Sequence, residues 1–275
     1  MSAPGGEGRP RDPEREVRRR DPGGLYGALD ALYLTPADGF RELADTYDRR
    51  MAGNPLYLLE STETLAALPP LTGATLLDLG CGTGRYALQA ARMGARSVIG
   101  VDLAPAMLVV ARRKCRRAEL DGVVAWQEGD LLGELPLPEA FADAAVCALA
   151  LSYVADPGAA LARMAGLLKP GGRLVVSDHH PHVLAEMRAA SERQHGAGRD
   201  RAPYQRFTSA SGEECRIAQH VHQVSALFAA ARGTGLRLDH VAEPVVDRRL
   251  ANTYAGLRDR VGVPLALVLR FVKES

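Results

Sequence analysis

From residue 74 onward, short apolar runs alternate with stretches of helical period. "ATLLDLG", "SVIGVD", "GVVAWQ", "ADAAVCAL" and "GRLVVSD" read as strands, separated by segments such as "GRYALQAARMG". Runs this short, bounded by turn residues, fit strands buried on both faces. Their alternation with helices predicts a mostly parallel sheet covered on both sides. Near the end, "LRLDHVAEPVV" and "VPLALVLRFVK" supply two more strands, and "VSALFAAARGTG" supplies the helix before them, its Gly-Thr-Gly serving as a stop.

The pattern differs on either side of this core. Residues 1–24 are Gly, Pro and charge with almost nothing apolar, a composition that reads as a disordered tail. From Leu25 to about Leu68, "LYGALDALYL" and "FRELADTYDRRMAG" space apolar and aromatic residues at i, i+3 and i+4, and predict a helical lid over residues 25–70. Residues about 181–222 break the alternation with a polar, irregular insertion. An insertion of that length between strands is expected to cap a binding site.

Composition adds mostly exclusions. The chain has 275 residues, 47% hydrophobic, with a formal charge of +1, so no global charge points to nucleic acid or membrane. No run of eighteen apolar residues occurs, and the N-terminus lacks the apolar stretch of a secretory signal. Cys81, Cys115, Cys147 and Cys215 are too irregularly spaced for a disulfide framework or a zinc site. A cytoplasmic protein without a metal is the expectation.

The most informative segment is "LLDLGCGTGRYA", residues 76–87. An apolar strand reaches Asp78, then Gly80, Gly82 and Gly84 carry the chain into a helix. Glycines there permit a tight turn and close approach of a ligand. Dinucleotide enzymes use a similar device, so the glycines alone decide little. A carboxylate just before the first glycine would repel a pyrophosphate but suits a cationic group. Asp102 ends the second strand, eighteen residues after Gly84, where it can take a ribose diol. Asp130 in "WQEGDLL" follows the third strand, within reach of an adenine amino group. An ammonium, a ribose and an adenine together describe S-adenosylmethionine.

The segment resembles the first motif of class I S-adenosylmethionine-dependent methyltransferases. "VIGVDLAPAML" is similar to the second-strand motif, "EGDLLGELPLP" to the adenine-contacting one, "FADAAVCALALSYVADP" to the fourth strand, and "LLKPGGRLVVSDHHP" to the fifth. The resemblance implies a Rossmann-like sheet of seven strands, mostly parallel with an antiparallel last strand, filling residues 71–275 with the cap inside it. It also implies a cofactor that leaves as S-adenosylhomocysteine. On this resemblance Asp78 and the loop Gly80, Cys81 and Gly82 hold the methionine portion. Asp102 binds the ribose and Leu103 lines the adenine pocket. Asp130 and the Leu131 N–H meet the adenine, and Ala148 or Leu149 covers the amino end with its backbone.

The acceptor is expected to be a small organic molecule offering O, N or activated C, in bacterial secondary metabolism, and the Ala-, Arg- and Gly-rich composition points to a high-GC bacterial source. A cofactor-binding member without methyl transfer, cyclase-like or an interaction protein, and an RNA methyltransferase are the alternatives. "RRKCRR" at 112–117 would serve the RNA reading, but charged outer faces are ordinary in α/β helices. "NPLY" at 54–57 resembles an amino-methyltransferase tetrapeptide in the wrong place and reads as a turn. In the lid, Tyr26, Tyr33 and Tyr47 would close over the site, and Tyr153 would join them from beyond the fourth strand. Ser152 stands where many relatives carry histidine.

Histidines concentrate in "SDHHPH" at the end of the fifth strand. The spacing of His179, His180 and His182 around Pro181 does not suit metal ligation. An acceptor-side base is the better expectation, because imidazole titrates near neutral pH. His180 is preferred, with His179 and the distant His220 or His222 as rivals and His220 also placed beside the substrate.

Overall fold

The computed structural model describes residues 32–133, 135–195, 203–209 and 211–275. The tail of residues 1–24 and Tyr26 lie outside them. Chain order is β1 (Leu32–Leu34), α1 (Pro36–Met51), α2 (Pro55–Ala67), β2 (Thr75–Leu79), α3 (Arg85–Arg92), β3 (Ser97–Asp102), α4 (Pro105–Arg117), β4 (Val124–Glu128) and β5 (Ala142–Ala148). Then follow α5 (Pro157–Leu167), β6 (Leu168–His179), α6 (Pro181–His195), β7 (Tyr204–Thr208), β8 (Glu214–Ala218), α7 (Val224–Arg232), β9 (Leu236–Ala242), α8 (Arg248–Thr253) and β10 (Ala266–Lys273).

The main sheet has seven strands in the order β4-β3-β2-β5-β6-β10-β9. β2 to β6 run parallel, and the last strand, β10, is antiparallel to both β6 and β9. Period-2 alternation assigns the two faces. Leu77, Leu79, Cys147, Leu174 and Val176 pack with α5 and α7. Leu76, Val98, Ala144, Val146 and Val175 pack with α3. Helices start where the local chemistry says they should. Asn54 of "NPLY" caps α2, its side chain accepting from Leu56 N at 3.0 Å, with Pro55 in the first turn. Asp156 and Pro157 do the same for α5.

The lid and cap differ from their sequence reading. Leu32–Leu34, expected to be helical, is a strand paired parallel with β8, Leu32 opposite Cys215 and Leu34 opposite Ile217. The insertion contributes α6 and the antiparallel hairpin β7–β8, giving a second sheet in the order β1-β8-β7. A periodicity window cannot register a partner strand about 180 residues away, and "LYL" suits either state. Gly39 of α1 lies so close to β8 that a Cβ there would meet Ile217 at 2.3 Å. The lid and cap are therefore one roof built from two distant pieces of chain.

Candidate active site

The floor of the site is the turn between β2 and α3. Gly80 N and Cys81 N both donate to the Val101 carbonyl, at 2.8 and 2.9 Å. Gly82 N donates to Asp102 Oδ2 at 2.7 Å, and Ala104 N to Asp102 Oδ1 at 2.9 Å. Asp102 thus closes the loop, and each of its oxygens keeps a lone pair for a further donor. Gly82 has φ +54° and no atom within 4 Å of where a Cβ would stand, so the loop is open on the side a ligand would approach. Gly84 has φ +82°, and a Cβ there would strike the Trp126 ring at 2.4 Å.

Two cavities meet over this floor. One, of about 310 Å³, is lined by Asp102, Leu103, Asp130 and Leu131 together with Phe40, Tyr153 and His220. The second, of about 660 Å³, holds Asp78, Cys81, Arg85 and Tyr57 and runs outward between α1 and the helices α3 and α4. Gly80, Gly82, Tyr47 and Ala148 border both.

The three acids differ in environment. Asp78 is buried, and its Oδ2 accepts from Ala87 N at 2.8 Å. Burial pushes its carboxyl up to about 7, against the opposing pull of that N–H and of Arg85. Asp102 is raised by burial too, while the Ala104 and Gly82 N–H groups pull it back. Asp130 is exposed and turns one oxygen to Leu132 N at 2.9 Å. Leu149, which lines the smaller cavity, sits at φ +54°, a left-handed conformation costly for a branched side chain. Its N–H donates to the Ser177 carbonyl at 2.7 Å, which fixes the turn after β5.

Aromatic side chains form the roof. Phe40 stands edge-on to Tyr153 at 5.0 Å and to Tyr47 at 6.3 Å. The hydroxyls of Tyr47 and Tyr57 hydrogen-bond at 3.0 Å, and Tyr153 donates to Gln205 on β7. Burial raises all three phenols, so they stay neutral donors. Tyr33 lies in neither cavity; its hydroxyl accepts from Arg216 at 3.0 Å within the lid–cap sheet.

The histidines separate into two groups. His180 lines neither cavity: its Nε2 lies 2.8 Å from Glu243 and its Nδ1 2.5 Å from the ring of His182. Pro181 starts α6 directly after it, which turns the ring toward the α6 side. His179 borders a small apolar pocket of about 30 Å³, outside the two cavities, and lies against Asp178. His220 is the histidine that lines the smaller cavity. Its N–H donates to the Ser152 carbonyl at 2.6 Å, and Ser152 N donates to Asp178 Oδ2 at 2.6 Å. The cap therefore delivers an imidazole to the turn whose own residue is serine. Burial lowers the His220 pKa, with the neighbouring His222 adding to the effect. His222 stacks on His220 with ring centres 5.9 Å apart, and its Nε2 is held by the Leu151 and Val154 carbonyls. Among the described residues no group of three or more metal-ligating side chains assembles.

Sequence reading missed Phe40, Tyr57, Glu60 and Arg85. A charged residue on an apolar helical stretch, Glu60 in "NPLYLLESTETL", was the signal available for one of them. Three of the five basic residues in the run on α4 bond within the protein, while Arg116 and Arg117 are exposed. Arg112 bonds the Trp126 carbonyl at 3.3 Å, Arg113 lies 3.7 Å from Asp45, and Lys114 lies 2.7 Å from Asp48 of the lid. No helix among the described residues is long and apolar enough to cross a membrane.

Residues 77–176 match the family model described as a methyltransferase domain. A demethylmenaquinone methyltransferase from Tropheryma whipplei is 35% identical over 147 residues, 52% of this chain and 58% of that protein. A ubiquinone biosynthesis O-methyltransferase from Xylella fastidiosa is 43% identical over 122 residues, 44% of this chain and 48% of that protein. The chain thus spans about half the length of the curated relatives it matches. The structure of an S-adenosylmethionine dependent methyltransferase from Mesorhizobium loti superposes with a TM-score of 0.60 at 25% identity, covering 81% of this chain and 99% of that one. The cyclase SpnF has the same fold at 20% identity, with a TM-score of 0.60 over 86% of this chain and 94% of its own. Fold alone therefore does not choose the reaction, and the site must.

Proposed function

We propose that the chain carries a class I S-adenosylmethionine-dependent methyltransferase domain and that it methylates a small, largely apolar acceptor at a protonated atom such as an aromatic hydroxyl. The observation behind this reading is one cavity lined both by Asp102 and Asp130 and by His220, Phe40 and Tyr153. When bound, S-adenosylmethionine supplies an electrophilic methyl group on a sulfonium. The residues present suit that group. Asp102 has free lone pairs for a diol, and Leu103, Leu131 and Asp130 line the same cavity, where they would meet the adenine.

His220 is the group we assign to the acceptor proton. Its lowered pKa keeps the imidazole neutral at pH 7, so it can accept a proton as the hydroxyl becomes a nucleophile. The Ser152 carbonyl fixes its backbone and His222 fixes its face. Phe40 and Tyr153 would hold a planar acceptor by edge and face contacts and keep water out. The division into a lid to residue 70 and a cofactor domain from 71 with its cap belongs to the same proposal. So does a reducing, cytoplasmic setting, which suits four buried free cysteines.

Turnover with S-adenosylmethionine on a panel of phenolic and quinol acceptors tests the reading. His220→Ala should lower kcat by about 10²–10⁴-fold, the usual contribution of a positioned base. His180→Ala should leave it within about twofold, since substitutions away from the site are near neutral. The reverse ranking would return the base to His180.

A further inference from the structure

Glu60 belongs to α2, in the lid, yet is completely buried. Four side chains from three elements converge on its carboxylate. Thr64 donates at 2.9 Å, Tyr86 at 2.6 Å and Ser177 of β6 at 2.5 Å to Oε1, while Arg85 donates at 2.8 Å to Oε2. Burying an ion pair is seldom the cheapest way to stabilise a fold, because desolvation offsets most of the attraction. Apolar side chains would fill the same space, so the charge calls for another explanation.

Arg85 supplies one. It is the first residue of α3, directly after the glycine loop, and it lines the larger cavity beside Gly80 and Gly82. Its guanidinium lies between the rings of Tyr57 and Tyr86, at 5.0 and 4.6 Å from their centres. Glu60 holds one nitrogen, and no acceptor among the described residues takes the others. Tyr57 is in turn bonded to Tyr47, which borders both cavities. Three loop amides, those of Gly80, Cys81 and Gly82, already give their N–H groups to Val101 and Asp102.

We propose that Glu60 is a positioning residue, which fixes the Arg85 guanidinium between two aromatic rings so that its free edge receives the carboxylate of the cofactor's amino-acid end. The proposal rests on the cofactor reading above. A flat fork held at one nitrogen presents paired N–H groups to a carboxylate with little left to order on binding. Because Glu60 comes from the lid, the helix that covers the site also sets the affinity at its floor.

Calorimetry on the full chain with two ligands tests this. S-adenosylhomocysteine carries the amino-acid end, and 5′-methylthioadenosine is the same nucleoside without it. Glu60→Gln keeps the volume and an acceptor for Tyr86, but turns Arg85 loose. It should weaken S-adenosylhomocysteine about tenfold or more, the scale of a charge-assisted hydrogen bond, and leave 5′-methylthioadenosine unchanged. Arg85→Gln should give the same split, and the double variant should be no weaker than either single one. Arg85→Lys, which keeps charge without the fork, should also lose affinity. If Glu60→Gln does not fold, wild-type affinity in Arg85→Lys overturns the proposal. Equal losses on both ligands, or none on S-adenosylhomocysteine, overturn it as well. A wild type that binds neither ligand removes the cofactor reading itself, a separate outcome.

Discussion

The floor and the roof of this site are assembled by different means. The backbone of the glycine loop is held mainly by the adjacent strand β3, through Val101 and Asp102, while the Thr83 hydroxyl ties it to Asp48 of the lid at 2.6 Å. The roof joins neighbouring aromatics, Phe40, Tyr47 and Tyr57, to distant stretches of chain. β1 meets β8, α1 lies against Ile217, and Tyr153 reaches Gln205, each joining pieces of chain far apart in sequence. A floor of local contacts can hold one cofactor geometry while the roof changes, and the same fold then serves different acceptors.

If that division is real, damage to the two parts should separate. The largest effect should come from Asp102→Ala, which opens the loop and removes the diol acceptor together. Two charge-assisted hydrogen bonds are lost, so S-adenosylhomocysteine should bind at least about a hundredfold more weakly by calorimetry. Near-normal affinity would mean that the floor does not depend on β3.

Gly39→Val should injure only the roof. Its side chain would collide with the fully buried Ile217 and cost about 1–3 kcal/mol in stability, as overpacking does. In steady-state kinetics the acceptor KM should rise while the dissociation constant of S-adenosylhomocysteine stays put. A matching loss of cofactor affinity would show that roof and floor are one unit.

The smallest effect sharpens the picture of the floor. Asp78 has a folded pKa of about 7 against 3.8 for the free side chain. Below about 4 it is protonated in folded and unfolded chains alike. Between about 4 and 7 the folded state holds the proton that the unfolded chain has released, so stability falls as pH rises through that window. Asp78→Asn cannot ionise, so its melting temperature should gain on wild type between pH 4 and pH 8, by about 2–4 °C for each kcal/mol of buried charge avoided. A constant gap across that range would mean that Asp78 does not hold a proton.

Legibility in the sequence followed the same division. Strand periodicity, the glycine spacing and the acids at or just past three strand ends sit within short windows, and the strands, the turn after β2 and these acids all fall where the pattern put them. The pattern also pointed to a cap without showing its form. "LYL" looks helical beside its neighbours and becomes a strand only because β8 arrives beside it. The dense cluster "SDHHPH" drew attention to His180, yet the imidazole in the cavity is His220, carried in by the cap and anchored on Ser152. Glu60 could be noticed as a charge on an apolar helical stretch, but not as the partner of Ser177, which lies 117 residues away.

The pairing of β1 with β8 has a practical side. Anyone hoping to transplant acceptor preference from a relative would fail by moving the cap alone, since its hairpin would arrive without the strand it pairs with. A working exchange would have to carry Leu32 to Tyr57 and Tyr204 to His222 together, two cassettes inserted at separate places and matched to each other.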